Sequence, residues 1–137
     1  MRLVATWMLL FYLFCAHSTA AQVIVNDSVI EYPLPEQELR LIFSMQKTYW
    51  PDGNKIHVFI LSPSSELHKE FCFQQLDMMP YMLQRRWDRL VFSGTGERPQ
   101  IVKSEAEMKL LISQTLGAIG YVSNRVSFTG GGYVYTR

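Results

Sequence analysis

Apolar positions along this chain switch between two spacings, and each switch marks an element. Val23, Ile24 and Val25 form a β-branched run that Asn26, Asp27 and Ser28 close in a turn, so residues 22–29 begin as a strand. Pro33 and Pro35 punctuate the chain next. Leu39, Ile42 and Phe43 then fall at i, i+3 and i+4, one face of a helix that opens at Pro35 or Glu36 with Glu36 and Glu38 at its positive end. Residues 48–54 read as a turn, in which Pro51 fixes φ and Gly53 permits a positive value. Residues 55–61 are apolar on both faces, which suits a strand inside a covered sheet.

Ser62, Pro63, Ser64 and Ser65 lead into a second helix, with Ser64 or Ser65 as its N-cap and Glu66 in its first turn. Leu67, Phe71 and Gln74 share its predicted inner face. Asp77 to Met79 break the pattern, and Pro80 opens a third helix in which Leu83, Trp87 and Leu90 recur at i, i+4 and i+7. Residues 92–99 form a loop with two glycines. Ser104 and Glu107 make a capping box ahead of Met108, Leu111 and Ile112, and Gly117 sits where a helix-ending glycine belongs. Residues 118–122 read as a strand, residues 133–136 as a last one, and Gly130 to Gly132 as a mobile turn between them. The order β-α-β-α-α-α-β-β predicts an α/β fold, a mixed sheet flanked by helices.

The first residues obey a different rule. Arg2 is followed by a nearly unbroken apolar run from Leu3 to Phe14, then by Ala16, Ser18, Thr19, Ala20 and Ala21, the pattern of a cleavable signal peptide. About twelve apolar residues span only ~18 Å as a helix, short of the ~30 Å core of a bilayer. The expected division is a signal peptide over residues 1–21, cut after Ala20 or Ala21, and one domain over residues 22–137. The expected location is periplasmic or secreted, with no membrane span after cleavage. Bulky Phe14 before Cys15 argues against lipid attachment.

Charge and cysteine content narrow the functional classes. The chain has 13 Lys+Arg against 12 Asp+Glu, and losing Arg2 with the leader brings the remainder to zero. That balance argues against general nucleic-acid binding. Only Cys72 remains after the leader, in the run Phe71, Cys72, Phe73, and reads as a buried, inert thiol. His57 and His68 lack ligand-type spacing, so no metal or other cofactor is expected. No local signature of nucleophilic or paired-carboxylate catalysis stands out, and the expected protein is not an enzyme.

Three segments, in order, carry a resemblance. They are residues 39–44 running into Tyr49, Trp50, Pro51, Asp52 and Gly53; Trp87 followed by Leu90 to Gly94; and Gly117 to Val122. Together they resemble the phosphate-binding, substrate-binding proteins of ABC importers, and more closely short single-lobe relatives in the periplasmic-binding-protein-like superfamily. The resemblance spans residues 23–122. It implies a single lobe of a type II periplasmic-binding-protein-like fold and a ligand class of phosphate or a similar oxyanion. Full-length members meet phosphate with the backbone N–H groups and hydroxyls of a serine- and glycine-rich loop before a helix. The matching loop is Ser62, Pro63, Ser64 and Ser65, which carries neither the arginine nor the SGT-like triplet usual in that family.

The chemistry of that loop stands without the resemblance. A helix N-terminus offers unsatisfied N–H groups and about half a positive charge, enough to hold an oxyanion without a basic side chain. Ser62, Ser64 and Ser65 would add hydroxyls, or Ser64 and Ser65 would simply cap the helix. Ser93, Gly94 and Thr95 form a second candidate anion loop, against the plainer reading of a structural turn. Arg85, Arg86 and Arg89 flank Trp87 and read as a solvated face that Asp88 and other acids balance. Two functions follow. One is a secreted solute-binding-like protein, with an envelope or transporter protein as its partner. The other is a ligand-free interaction module of the cell envelope that kept the lobe.

Overall fold

The computed structural model describes residues 19–29 and 34–134. The expected leader therefore falls mostly outside the described residues, as do Pro33 and the end of the strand expected at 133–136. The elements are β1 (Ala21–Asn26), α1 (Glu36–Phe43), β2 (His57–Leu61), α2 (Glu66–Leu76), α3 (Pro80–Phe92), β3 (Gln100–Val102), α4 (Glu105–Gln114), β4 (Ala118–Ser123) and β5 (Gly131–Val134). The strands form one sheet in the order β3-β2-β4-β1-β5. β2 runs parallel to β3 and β4, while β1 is antiparallel to β4 and β5. The expected α/β fold with a mixed sheet is what the chain adopts.

Strand β4 shows how the layers are assigned, because successive residues point to opposite faces. Tyr121 stacks on Phe71 of α2 with ring centroids 4.0 Å apart, and Phe43 of α1 meets Phe71 edge-on at 4.6 Å. Its neighbour Gly120 faces the other way. A Cβ there would lie 2.5 Å from Met108 Sδ and 2.6 Å from Ile112 Cδ1, so α4 packs directly on the backbone. Helices α1 and α2 thus cover one face and α4 the other. Trp87 of α3 joins the first layer by donating from Nε1 to the Phe43 carbonyl at 2.9 Å.

Polar groups fasten the ends of these elements. Asn26, buried at the end of β1, donates through Nδ2 to the carbonyls of Ile112 at 2.7 Å and Ser113 at 3.1 Å, closing the last turn of α4. Gly117 has φ +71°, and a Cβ there would collide with the Lys55 carbonyl oxygen. Its own carbonyl accepts from Trp50 Nε1 at 2.9 Å, and its N–H donates to Ser28 Oγ at 2.8 Å.

Several expectations need correction. The inner face of α2 is His68, Phe71, Cys72 and Leu76, whereas Gln74 is exposed and accepts at Oε1 from the Ala21 N–H. Strand β3 lies between the 92–99 loop and the capping box, in residues to which the sequence pattern assigns no element. Gly131 and Gly132 belong to β5, paired with Asn26 and Val25, rather than to a mobile turn. The capping box is shifted by one residue: Ser104 Oγ accepts from Glu107 N–H at 3.1 Å, but Glu107 reaches back to Lys103 N–H at 2.6 Å.

Candidate functional site

The carboxyl ends of β2 and β3 lie side by side, with Leu61 opposite Val102 in a parallel register. The chain leaves these neighbours toward opposite faces of the sheet, into α2 on one side and α4 on the other. Adjacent parallel strands whose following helices diverge in this way leave a crevice at their carboxyl ends, the preferred ligand position of open α/β sheets. One wall is Ser62 to Ser65, and the other begins with Lys103 and Ser104.

The two helix starts at this crevice differ. At α4 the start is capped by side chains. Ser104 Oγ accepts from the Glu107 N–H, the Glu107 carboxylate accepts from the Lys103 N–H just outside the helix, and the Glu105 carboxylate accepts from the Ser123 N–H at the end of β4. At α2 the N-cap is Ser65, as the sequence suggests, but its side chain makes no capping bond. Ser62 Oγ instead sits 2.9 Å from Ser64 Oγ, and a turn brings the Ser65 N–H to the Ser62 carbonyl at 2.8 Å. The first turn of α2 therefore keeps its positive end open to solvent. Glu66 is the opposing charge there, tied to Lys69 Nζ at 2.7 Å.

Behind the loop lies a buried polar chain that the sequence did not reveal. Backbone pairing between β2 and β4 is confined to His57 with Ala118 and Val58 with Ile119. Further along, the Leu61 N–H donates to the Tyr121 hydroxyl at 2.9 Å. That hydroxyl also lies 2.6 Å from His68 Nδ1, and His68 Nε2 lies 3.5 Å from Cys72 Sγ. The Tyr121 oxygen accepts from the Leu61 N–H and shares a single proton with His68 Nδ1, so hydroxyl, imidazole and thiol form one hydrogen-bonded chain. Burial drives all three groups toward neutrality: His68 falls to about 4, Cys72 rises to about 12, and Tyr121 is pushed up as well. The chain anchors Leu61, the residue before Ser62, to both β4 and α2.

Ser93, Gly94 and Thr95 close α3. The N–H groups of Ser93, Gly94 and Thr95 donate to the carbonyls of Arg89, Val91 and Leu90, and Ser93 Oγ donates to Arg89 O at 2.8 Å. The loop leads to the amino end of β3, and its Glu97 pairs with Lys55, just before β2, at 3.6 Å. It thus lies at the opposite edge of the sheet from Ser62, and the two candidate loops are not brought together. Lys103 is the residue that the sequence reading missed. Only the pairing of β3 with β2 places it beside Ser62, and β3 is three residues long with Ile101 exposed. Among the described residues, no three His, Cys, Asp or Glu side chains gather as a metal site, and no helix is long and apolar enough to cross a membrane.

This architecture, a mixed α/β sheet in which β3, β2 and β4 run parallel and helices cover both faces, has the periplasmic-binding-protein-like fold that the sequence resemblance implies. Comparison with solved structures bears out that fold. The chain is similar to an ABC-type phosphate transport receptor from Vibrio cholerae, with TM-score 0.59 and 18% identity over 86% of this chain and 46% of the other. It is likewise similar to a Clostridium perfringens protein described as a phosphate ABC transporter substrate-binding protein and solved with bound phosphate. There the TM-score is 0.65 and the identity 19%, over 86% of this chain and 45% of the other. The PstS structure from Borrelia burgdorferi gives TM-score 0.56 and 18% identity, covering 77% and 41%. The chain spans less than half the length of these proteins, and the likeness is one of fold. No family model and no curated protein matches the sequence.

Proposed function

We propose that this chain is an exported, non-enzymatic, solute-binding-like protein that takes phosphate or a similar oxyanion at the start of α2. The backbone N–H groups of the first turn and the hydroxyls of Ser62, Ser64 and Ser65 are the donors, and Lys103 supplies charge from the neighbouring strand end. The observation that carries this reading is the helix start that no side chain caps, placed at the crevice between diverging parallel strands. Bound phosphate in a structural neighbour supports the choice of ligand. Residues 1–20 serve as the export leader in this reading. A cut after Ala20 leaves all six residues of β1, whereas a cut after Ala21 removes one that pairs with Ser123 and contacts Gln74 and Gln75. The intact mass of the exported protein distinguishes the two cuts.

Calorimetric titration with inorganic phosphate tests the site. Saturable heat that Ser64→Ala with Ser65→Ala weakens, and that Lys103→Gln weakens further, is the expected result. Heats equal to buffer dilution at millimolar phosphate would leave the ligand-free interaction module, the reading that exposed Glu66 in the first turn of α2 favours.

A further inference from the structure

Helix α3 presents a face that the fold does not use. Leu83 and Trp87 are buried, while Tyr81, Met82, Arg85, Arg86, Arg89 and Phe92 are exposed on the other side. Tyr81, Arg85, Arg89 and Phe92 follow one another at spacings of four, four and three, a single stripe along the helix. Met82 and Arg86 are four apart and flank it. Phe92 is 89% exposed, the most exposed of the large apolar residues described.

The expected charge balance does not hold at this face. Asp88, the acid that the sequence sets among these arginines, pairs with Arg98. The other nearby acids are also engaged: Asp77 with Arg40, Glu97 with Lys55, and Glu70 with Gln74. Among the described residues, no carboxylate forms an ion pair with Arg85, Arg86 or Arg89. The three arginines thus gather positive charge on one exposed helix face of a chain whose overall net charge is only +1. All three cations are guanidinium groups, which bind phosphate esters through paired N–H donors and give up water more readily than ammonium groups.

We infer that this face of α3 docks the protein on an anionic phospholipid surface. The arginines engage headgroup phosphates, while Tyr81, Met82 and Phe92 enter the interfacial region between them. A helix of 13 residues, about 20 Å long, offers enough length to lie along a membrane surface. The docking is independent of anion binding at Ser62 to Ser65.

Flotation of the full chain with phosphatidylcholine vesicles containing about a third phosphatidylglycerol tests this inference against pure phosphatidylcholine vesicles. The Arg85→Gln, Arg86→Gln, Arg89→Gln variant and the Phe92→Ser variant are measured alongside. Any contribution of residues 1–18 is common to all of them, so differences between variants isolate α3. Binding to the anionic vesicles is expected to exceed binding to pure phosphatidylcholine, and the excess should fade at high salt. The triple variant should bind about a hundredfold more weakly, roughly fivefold for each arginine, and Phe92→Ser about fivefold more weakly. Equal binding to the two vesicle types, or undiminished binding by both variants, overturns the inference and leaves the face to an acidic protein. The substituted side chains are exposed, so both variants should keep the thermal melt of the parent, and Phe92→Ser gives a reading that does not depend on charge.

Discussion

Tyr121 does more than fill the core, because its hydroxyl stands where a strand would otherwise satisfy the Leu61 N–H. Tyr121→Phe keeps the ring stacked on Phe71 but leaves that N–H without an acceptor and His68 Nδ1 without its partner. A buried group stripped of its partner costs about 1–3 kcal/mol. A urea melt of this variant should lose stability in that range with an unchanged slope, and an unmoved midpoint would show that water replaces the hydroxyl. His68 adds a pH dependence of definite sign. It is 1% exposed, and burial lowers its pKa from 6.5 to about 4, so the folded state holds it neutral while the unfolded state protonates first. The unfolded state then binds more protons across that window, and stability falls as pH drops from about 6.5 toward 4. The whole shift corresponds to about 3 kcal/mol. Melts between pH 7 and 5 should decline in the parent and flatten in His68→Gln, since carboxylates titrate mostly below that interval. Parallel pH profiles would remove His68 from the account.

Between elements, two glycines set how closely the layers approach, and they should not respond alike to a methyl group. At Gly120 an added Cβ meets the ends of Met108 and Ile112, flexible side chains that can give way, so Gly120→Ala should cost about 1–2 kcal/mol. At Gly117 the backbone has φ +71° and the obstacle is the Lys55 carbonyl, which cannot move without disturbing the entry to β2. The left-handed conformation alone costs an L-residue roughly 1–2 kcal/mol, so Gly117→Ala should be the more damaging change. Denaturant midpoints in the reverse order would contradict the packing described here. Only part of this arrangement is legible in the chain. Periodicity located α1, α3 and α4, and turn chemistry located Gly53 and Gly117, because those signals are local. The inner face of α2 is only partly legible, because a histidine such as His68 is not counted as core until Tyr121 is known to receive it. Strand β3 escaped notice because three residues with only Val102 buried carry no period. For the same reason the Ser62 loop was visible from sequence, as a strand-to-helix junction, while Lys103 beside it was not.

At the scale of the molecule, one open edge decides how strongly an anion can be held. In the proposed site Ser62, Ser64 and Lys103 are exposed, so water competes for their donors, and a dissociation constant on the order of millimolar is expected. Weak binding of this kind still registers as stability, because a ligand that binds only the folded chain shifts the unfolding equilibrium by mass action. At ten times the dissociation constant the gain is about 1.4 kcal/mol. Thermal unfolding should therefore move upward in phosphate relative to chloride at matched ionic strength, and the difference should shrink in Ser64→Ala with Ser65→Ala. Matching ionic strength is essential, because the arginines of α3 and the charges around Glu66 respond to any salt. The same comparison in Arg85→Gln, Arg86→Gln, Arg89→Gln separates the two surfaces. A phosphate effect that persists there belongs to the crevice, and one that disappears belongs to α3. Equal melts in phosphate and chloride for the parent would remove phosphate as a ligand of this site.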